Sequence, residues 1–175
     1  MFRRNFVVPL AVSFFALPGS NSLAAEAANI SGCLDAVGTY MTSRSSVIDG
    51  NTRIDRGLIA LTNGGHALVT DSAEGGVNGY QPFSSGSGAW RCLGNEAGEN
   101  KIKIVTFDFT TTPDAETDRY IARVTVSATA DPASNSISGN SLVEFLAIDA
   151  APDTAEIVRP SVSYDFTGVK LEVSE

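Results

Sequence analysis

The sequence predicts an all-β fold: an eight-stranded antiparallel up-and-down barrel, with a two-sheet β-sandwich as the alternative. Three observations predict it. Apolar and polar residues alternate with period two over long runs. Clusters of Gly, Pro, Asn, Asp and Ser separate those runs at short intervals. Beyond the first 27 residues, no segment carries a capped apolar stripe of helical period; residues 26–37 suit a short helical turn at most.

The elements follow in order. Gly38 to Ser43 is the first strand, and a polar Ser/Asp/Gly/Asn stretch follows it. Arg56 to Leu61 is the second. Thr62-Asn63-Gly64-Gly65 reads as a hairpin turn, because Asn-Gly tolerates the positive φ angles of tight turns. His66 to Asp71 is the third strand. A Gly/Ser-rich loop then runs from Ser72 to Ser87 and carries Tyr80 and Phe83. Gly88 to Leu93 is the fourth strand and holds Trp90 and Cys92. Lys101 to Thr111 is the fifth. It starts with Ile102 and Ile104 on one face and then places Val105, Phe107 and Phe109 on the other, which predicts a β-bulge near Ile104.

Pro113 lies in the break that follows. Arg119 to Ala130 is the sixth strand, with Tyr120, Ala122, Val124, Val126 and Ala128 on one face. Asp131 to Asn135 is a turn. Ser136 to Ile148 is the seventh strand, and a turn with Pro152 ends it. The eighth runs from Ser161 to Glu172, limited by Pro160, with Gly168 read as a bulge. Local turns without a long crossover favour the barrel, and closure removes both exposed edges. Eight strands enclose an interior that side chains fill or that holds one small ligand.

Residues 1–27 read as a signal peptide, with Arg3 and Arg4 before an apolar stretch from Phe6 to Leu17 and a small-residue site at Ala25-Glu26-Ala27. The apolar stretch falls short of the ~20 residues a membrane helix needs. Residues 28–175 are then one soluble domain, secreted or periplasmic, with no membrane span. The whole chain has 12 basic and 20 acidic residues. Cleavage leaves 10 against 19, a charge of −9. Such acidity argues against nucleic acid as a partner. One His and two Cys leave no common zinc framework, so neither a metal nor a cofactor is expected. In an oxidising compartment Cys33 and Cys92 form a disulfide, tying the leading segment to the Trp90 strand.

Gly38-Thr39-Tyr40, at the start of the first strand, resembles the Gly-x-Trp of lipocalins, with Tyr40 in place of the Trp. The tract from Gly57 to Asp71 and the Gly88-Ala89-Trp90 strand resemble the early hairpin and the middle of such a barrel. The chain thus resembles the calycins, the secreted lipocalin-like barrels, over roughly residues 36–172. Allene oxide cyclase and dirigent barrels are the neighbouring resemblance. The first implies an apolar ligand in the barrel; the second implies a cyclase or isomerase that folds an apolar substrate there.

Strand phase nominates the site. Trp90, Phe107, Phe109, Tyr120, Phe145, Tyr164 and Phe166 are expected to point inward, as core or as the lining of a cavity for a small apolar ligand. Tyr80 and Phe83 are expected at the barrel mouth. Asp108, Glu144 and Asp165 fall opposite the aromatic phase and are expected on the wet face. His66 is expected in water at a hairpin shoulder, without the burial a general base needs. Asp71 to Gly76 lacks the spacing of a calcium loop. If the protein is an enzyme, Tyr120 and Tyr164 are its inward phenols. If it is an interaction protein, the 72–87 loop carries the contact.

Overall fold

The computed structural model describes residues 30–48, 51–76, 81–111 and 119–172. The expected leader and Tyr80 lie outside them. A short 3₁₀ helix, Ser31–Ala36, precedes eight strands: β1 (Gly38–Ile48), β2 (Asn51–Leu61), β3 (His66–Asp71), β4 (Gly86–Glu96), β5 (Glu99–Phe109), β6 (Tyr120–Asp131), β7 (Ser136–Ala147) and β8 (Arg159–Lys170). Each strand pairs antiparallel with the next. β8 pairs back onto β1, closing the barrel. All eight expected strands are present, and the order is the meander expected from local turns.

Four local expectations are corrected. The polar stretch after Ser43 is strand, not loop, and β1 and β2 pair from Gly38–Leu61 out to Ile48–Asn51. Polar side chains face inward here, so alternation does not mark the strands. β5 has no bulge near Ile104. Asn100, Ile102, Ile104, Thr106, Asp108 and Thr110 form one unbroken buried face, and the register shift lies in β4, between Cys92 and Gly94. Gly168 pairs regularly with Ile137 and Thr42. Its small size serves close approach instead, since a Cβ there would lie 2.8 Å from the Met41 carbonyl oxygen. In the β2–β3 turn the positive φ falls on Gly65, at 81°, rather than on Asn63 or Gly64.

The two ends of the barrel differ. At one end Tyr40, Leu61, Trp90, Ile102, Ile104, Ile137 and Phe166 form a continuous buried core with Ile30, Cys33 and Ala36 of the leading segment. The 3₁₀ helix closes this end. Tyr40 donates its hydroxyl to the Ala36 carbonyl at 2.9 Å, and Lys170 donates to the Asp35 carbonyl at 3.0 Å. The Trp90 indole donates to the Thr62 carbonyl at 2.8 Å, so its one polar atom is satisfied inside an apolar site. Cys33 and Cys92 form the expected disulfide, which clamps the helix to β4. A disulfide of this kind is compatible with an extracellular or periplasmic location.

The clamp spans 59 positions, for which chain entropy implies about 4 kcal/mol. Replacing both cysteines with serine is expected to keep the β-rich circular dichroism spectrum. It is expected to lower unfolding stability in urea by about 2–5 kcal/mol. An unchanged urea midpoint would show that the helix holds its place without the bond.

Candidate functional site

The open end is built from the ends of β1, β3, β5 and β7 and the starts of β2, β4, β6 and β8. Barrel pairing decides which side chains face in. Arg44 lies opposite Asp55 on β1 and β2, and Gly57 lies opposite Asp71 on β2 and β3. Asp108 lies opposite Ala122 on β5 and β6, and Ala122 opposite Phe145 on β7. All share the inner face.

Arg44 bridges two acids, with its guanidinium 2.8 Å from Asp71 and 3.5 Å from Asp55. Arg53 adds a second contact to Asp55 at 2.6 Å. A lone buried carboxylate would be costly, and two guanidinium groups compensate Asp55. The Arg44 guanidinium also stacks 4.3 Å from the centre of the Tyr164 ring. Burial pushes the Tyr164 phenol above its ordinary range, partly offset by Arg44 and by a hydrogen bond with Ser141. Tyr164 therefore stays protonated. Burial likewise raises Asp71, against the lowering effects of the Ala73 N–H and of Arg44.

Below this layer lies a cavity of about 30 Å³, lined by Thr42, Ile59, Val124, Ser141, Tyr164 and Phe166 among others. That is room for water, far below the roughly 300 Å³ at which pockets for drug-sized ligands begin. The middle and closed end of the barrel are filled.

Asp108 differs from the paired acids. It is 6% exposed, and its Oδ1 is buried with no hydrogen-bond partner. Burial, and secondarily the negative charge of Glu74, push its carboxyl up to about 7. Two positions earlier on the same face, the fully buried Thr106 hydroxyl is also without a partner. Glu74 comes from the turn after β3. It accepts from the Asp71 N–H at 3.0 Å and from the Ser85 hydroxyl at 3.0 Å. Main-chain bonds fasten the described part of the loop: Phe83 N–H donates to Glu74, Ser84 N–H to Phe109 and Thr111 N–H to Pro82.

On the neighbouring strands β6 and β7, Tyr120 and Phe145 meet edge to face, with centroids 6.4 Å apart. The Arg159 guanidinium lies 5.0 Å from the first ring centre and 5.2 Å from the second, and donates to Gln81 at 2.8 Å. Val162 stands at the same mouth, 43% exposed.

Of the seven nominated aromatics, Trp90 and Phe166 pack the core, while Tyr164, Tyr120 and Phe145 reach the open end. Phe107 and Phe109 do not point inward. Without a bulge in β5 their parity is outward, and Phe109 is 53% exposed. The same parity overturns the outward expectation for Asp108. Phe83 is half-buried at the mouth and bridges to Thr110. Glu144 pairs with Arg123 at 3.0 Å on the outer wall, and Asp165 and His66 are exposed there. Sequence reasoning passed over Arg44, Arg53, Asp55, Thr106 and Arg159, and met Glu74 only within the rejected calcium loop. The unbroken parity of β5, counted from Asn100, was the available signal for Asp108. No protein-family model, curated protein or solved structure matches the chain.

The pH dependence of stability tests the setting of Asp108. Its folded pKa lies above the unfolded value, so the native state holds the extra proton between about pH 4 and about pH 7. Stability from this group is therefore full below about pH 4 and falls as pH rises to about 7. Asp108→Asn is expected to raise stability by about 1–3 kcal/mol at pH 8, and the gain should vanish towards pH 4. A pH-independent difference in urea unfolding would contradict a buried, destabilised carboxylate.

Proposed function

We propose that this is an exported, lipocalin-like binding protein that takes a small molecule at the open end of its barrel. One observation carries the reading. Two of the three buried polar side-chain atoms without a partner among the described residues, Asp108 Oδ1 and Thr106 Oγ1, face inward at the end that no described helix closes; the third, Asn100 Nδ2, lies at the other end. Buried polar groups usually have partners, and a molecule bound at the open end would supply them to both. Tyr120, Phe145 and Val162 supply apolar surface beside the polar groups. The ligand is thus mainly apolar with a hydrogen-bonding group. It sits at the mouth, since the interior beneath is filled. The closed meander and the disulfide are compatible with a calycin in an oxidising compartment.

A second reading, an isomerase or cyclase, is favoured by a different observation. A carboxyl that titrates near 7 exchanges a proton readily at neutral pH, and Asp108 is such a group. Tyr164 would then be a neutral donor. In that case Asp108→Asn abolishes turnover of a bound substrate while binding survives.

The binding reading is tested by screening small neutral and charged aromatic compounds against the isotope-labelled chain by NMR. Shifts are expected in the amides of Asp108, Ala122, Phe145 and Val162. Val162→Trp narrows the mouth from an exposed position and is expected to weaken binding at least tenfold with little change in thermal stability. Shifts confined to the outer wall, or binding unaffected by Val162→Trp, would overturn the placement.

A further inference from the structure

Among the described residues, the inner side of the open end carries more carboxyl groups than the guanidinium groups that pair with them. Asp55, Asp71, Glu74 and Asp108 bring four carboxyl groups. Arg44 is engaged by Asp55 and Asp71, and Arg53 by Asp55. No salt bridge reaches Glu74 or Asp108 among the described residues. Arg159, at the same end, lies over the Tyr120 and Phe145 rings and is bonded to Gln81. β6 and β7 place only uncharged groups, Tyr120, Ala122 and Phe145, on the face shared with Asp108.

The strands on either side carry small residues here and approach closely. Ala122 beside Asp108 has the smallest side chain after glycine. Gly86 of β4 has none, and a Cβ there would lie 3.0 Å from the Thr106 hydroxyl oxygen. Small residues on both neighbouring strands thus flank a carboxyl oxygen, Asp108 Oδ1, and a hydroxyl group, that of Thr106, without hydrogen-bond partners.

We infer that the open end binds a protonated amine, with its ammonium group on Asp108, Thr106 as a neutral acceptor and Glu74 as the neighbouring negative charge. The inference rests on the reading of the open end as a small-molecule site. An ammonium group offers three donors and no acceptor, which matches a set of unpartnered oxygens. It also removes the repulsion between Asp108 and Glu74. A carboxylate would add to that repulsion, and an alcohol would leave both charges uncompensated.

A pH signature follows. In the free protein, burial and Glu74 hold Asp108 up to about 7, while a bound ammonium favours the ionised form. The affinity for an amine protonated throughout should therefore rise about tenfold from pH 6 to pH 8.

The test uses the full chain and three matched probes: benzylamine, benzyl alcohol and benzoate, titrated by NMR and calorimetry at pH 6 and pH 8. Benzylamine is expected to shift the amides of Asp108 and Ala122, to bind at least tenfold more tightly than the other two at pH 8, and to weaken about tenfold at pH 6. Asp108→Asn should remove most of this affinity and flatten its pH dependence. Glu74→Gln, at a partly exposed turn, should weaken binding several-fold and guards against a folding defect in the first variant. If benzyl alcohol or benzoate binds as well as benzylamine at the same amides, the amine class is wrong and the open-end reading stands. If none of the three shifts those amides, both are overturned. Amine binding that survives Asp108→Asn with its pH dependence intact also refutes the inference.

Discussion

The structure depends on the closure of β1 against β8. Four residue pairs, from Tyr40–Lys170 to Ser43–Thr167, turn an open meander into a cylinder. Closure leaves no free edge, so every strand has a partner on both sides. It also fixes parity around the whole wall. A one-residue slip in one strand would turn its side chains over, which the filled core forbids. Gly168 permits this seam. Any side chain there would press on the Met41 carbonyl and on Thr42.

Within that cylinder the interior divides along its length. Apolar side chains fill the half beneath the 3₁₀ helix, and the Cys33–Cys92 bond holds the helix in place. The other half contains ions. Arg44, Arg53, Asp55 and Asp71 satisfy one another, an arrangement that costs desolvation and is recovered only through close pairing. Asp108 and Thr106 lie outside this network. The apolar half supplies the stability that lets the polar half keep Asp108 and Thr106 without partners. A binding site with a cost in stability is what such a division allows.

Much of the fold was legible in the sequence. Trp90, the Tyr120–Ala128 face and the Val162–Phe166 alternation mark strands with one apolar face, and Cys33 and Cys92 mark the clamp. The polar tract joining β1 and β2 was not legible as strand, since apolar alternation is the signal and Arg44, Arg53 and Asp55 replace it on the inner face. The β5 error has the same origin. Phe107 and Phe109 are apolar yet outward, while Thr106 and Asp108 are polar yet inward. Hydrophobicity therefore pointed the wrong way at the end of the barrel where the candidate site lies. Pairing settles the matter, because Asp108 is opposite Ala122 and Ala122 opposite Phe145. The ion pairs were beyond sequence reasoning, since Arg44 and Asp71 meet only after three strands have curled together.

The functional account turns on Asp108: a carboxyl group inside the wall, near a second acid and in no salt bridge among the described residues. Its own titration tests this most directly, followed through the side-chain carboxyl ¹³C resonance of Asp108 in the full chain. The account predicts a midpoint near 7. A midpoint near 4, the ordinary carboxylate range, would mean that the group is solvated or paired, and would contradict the account.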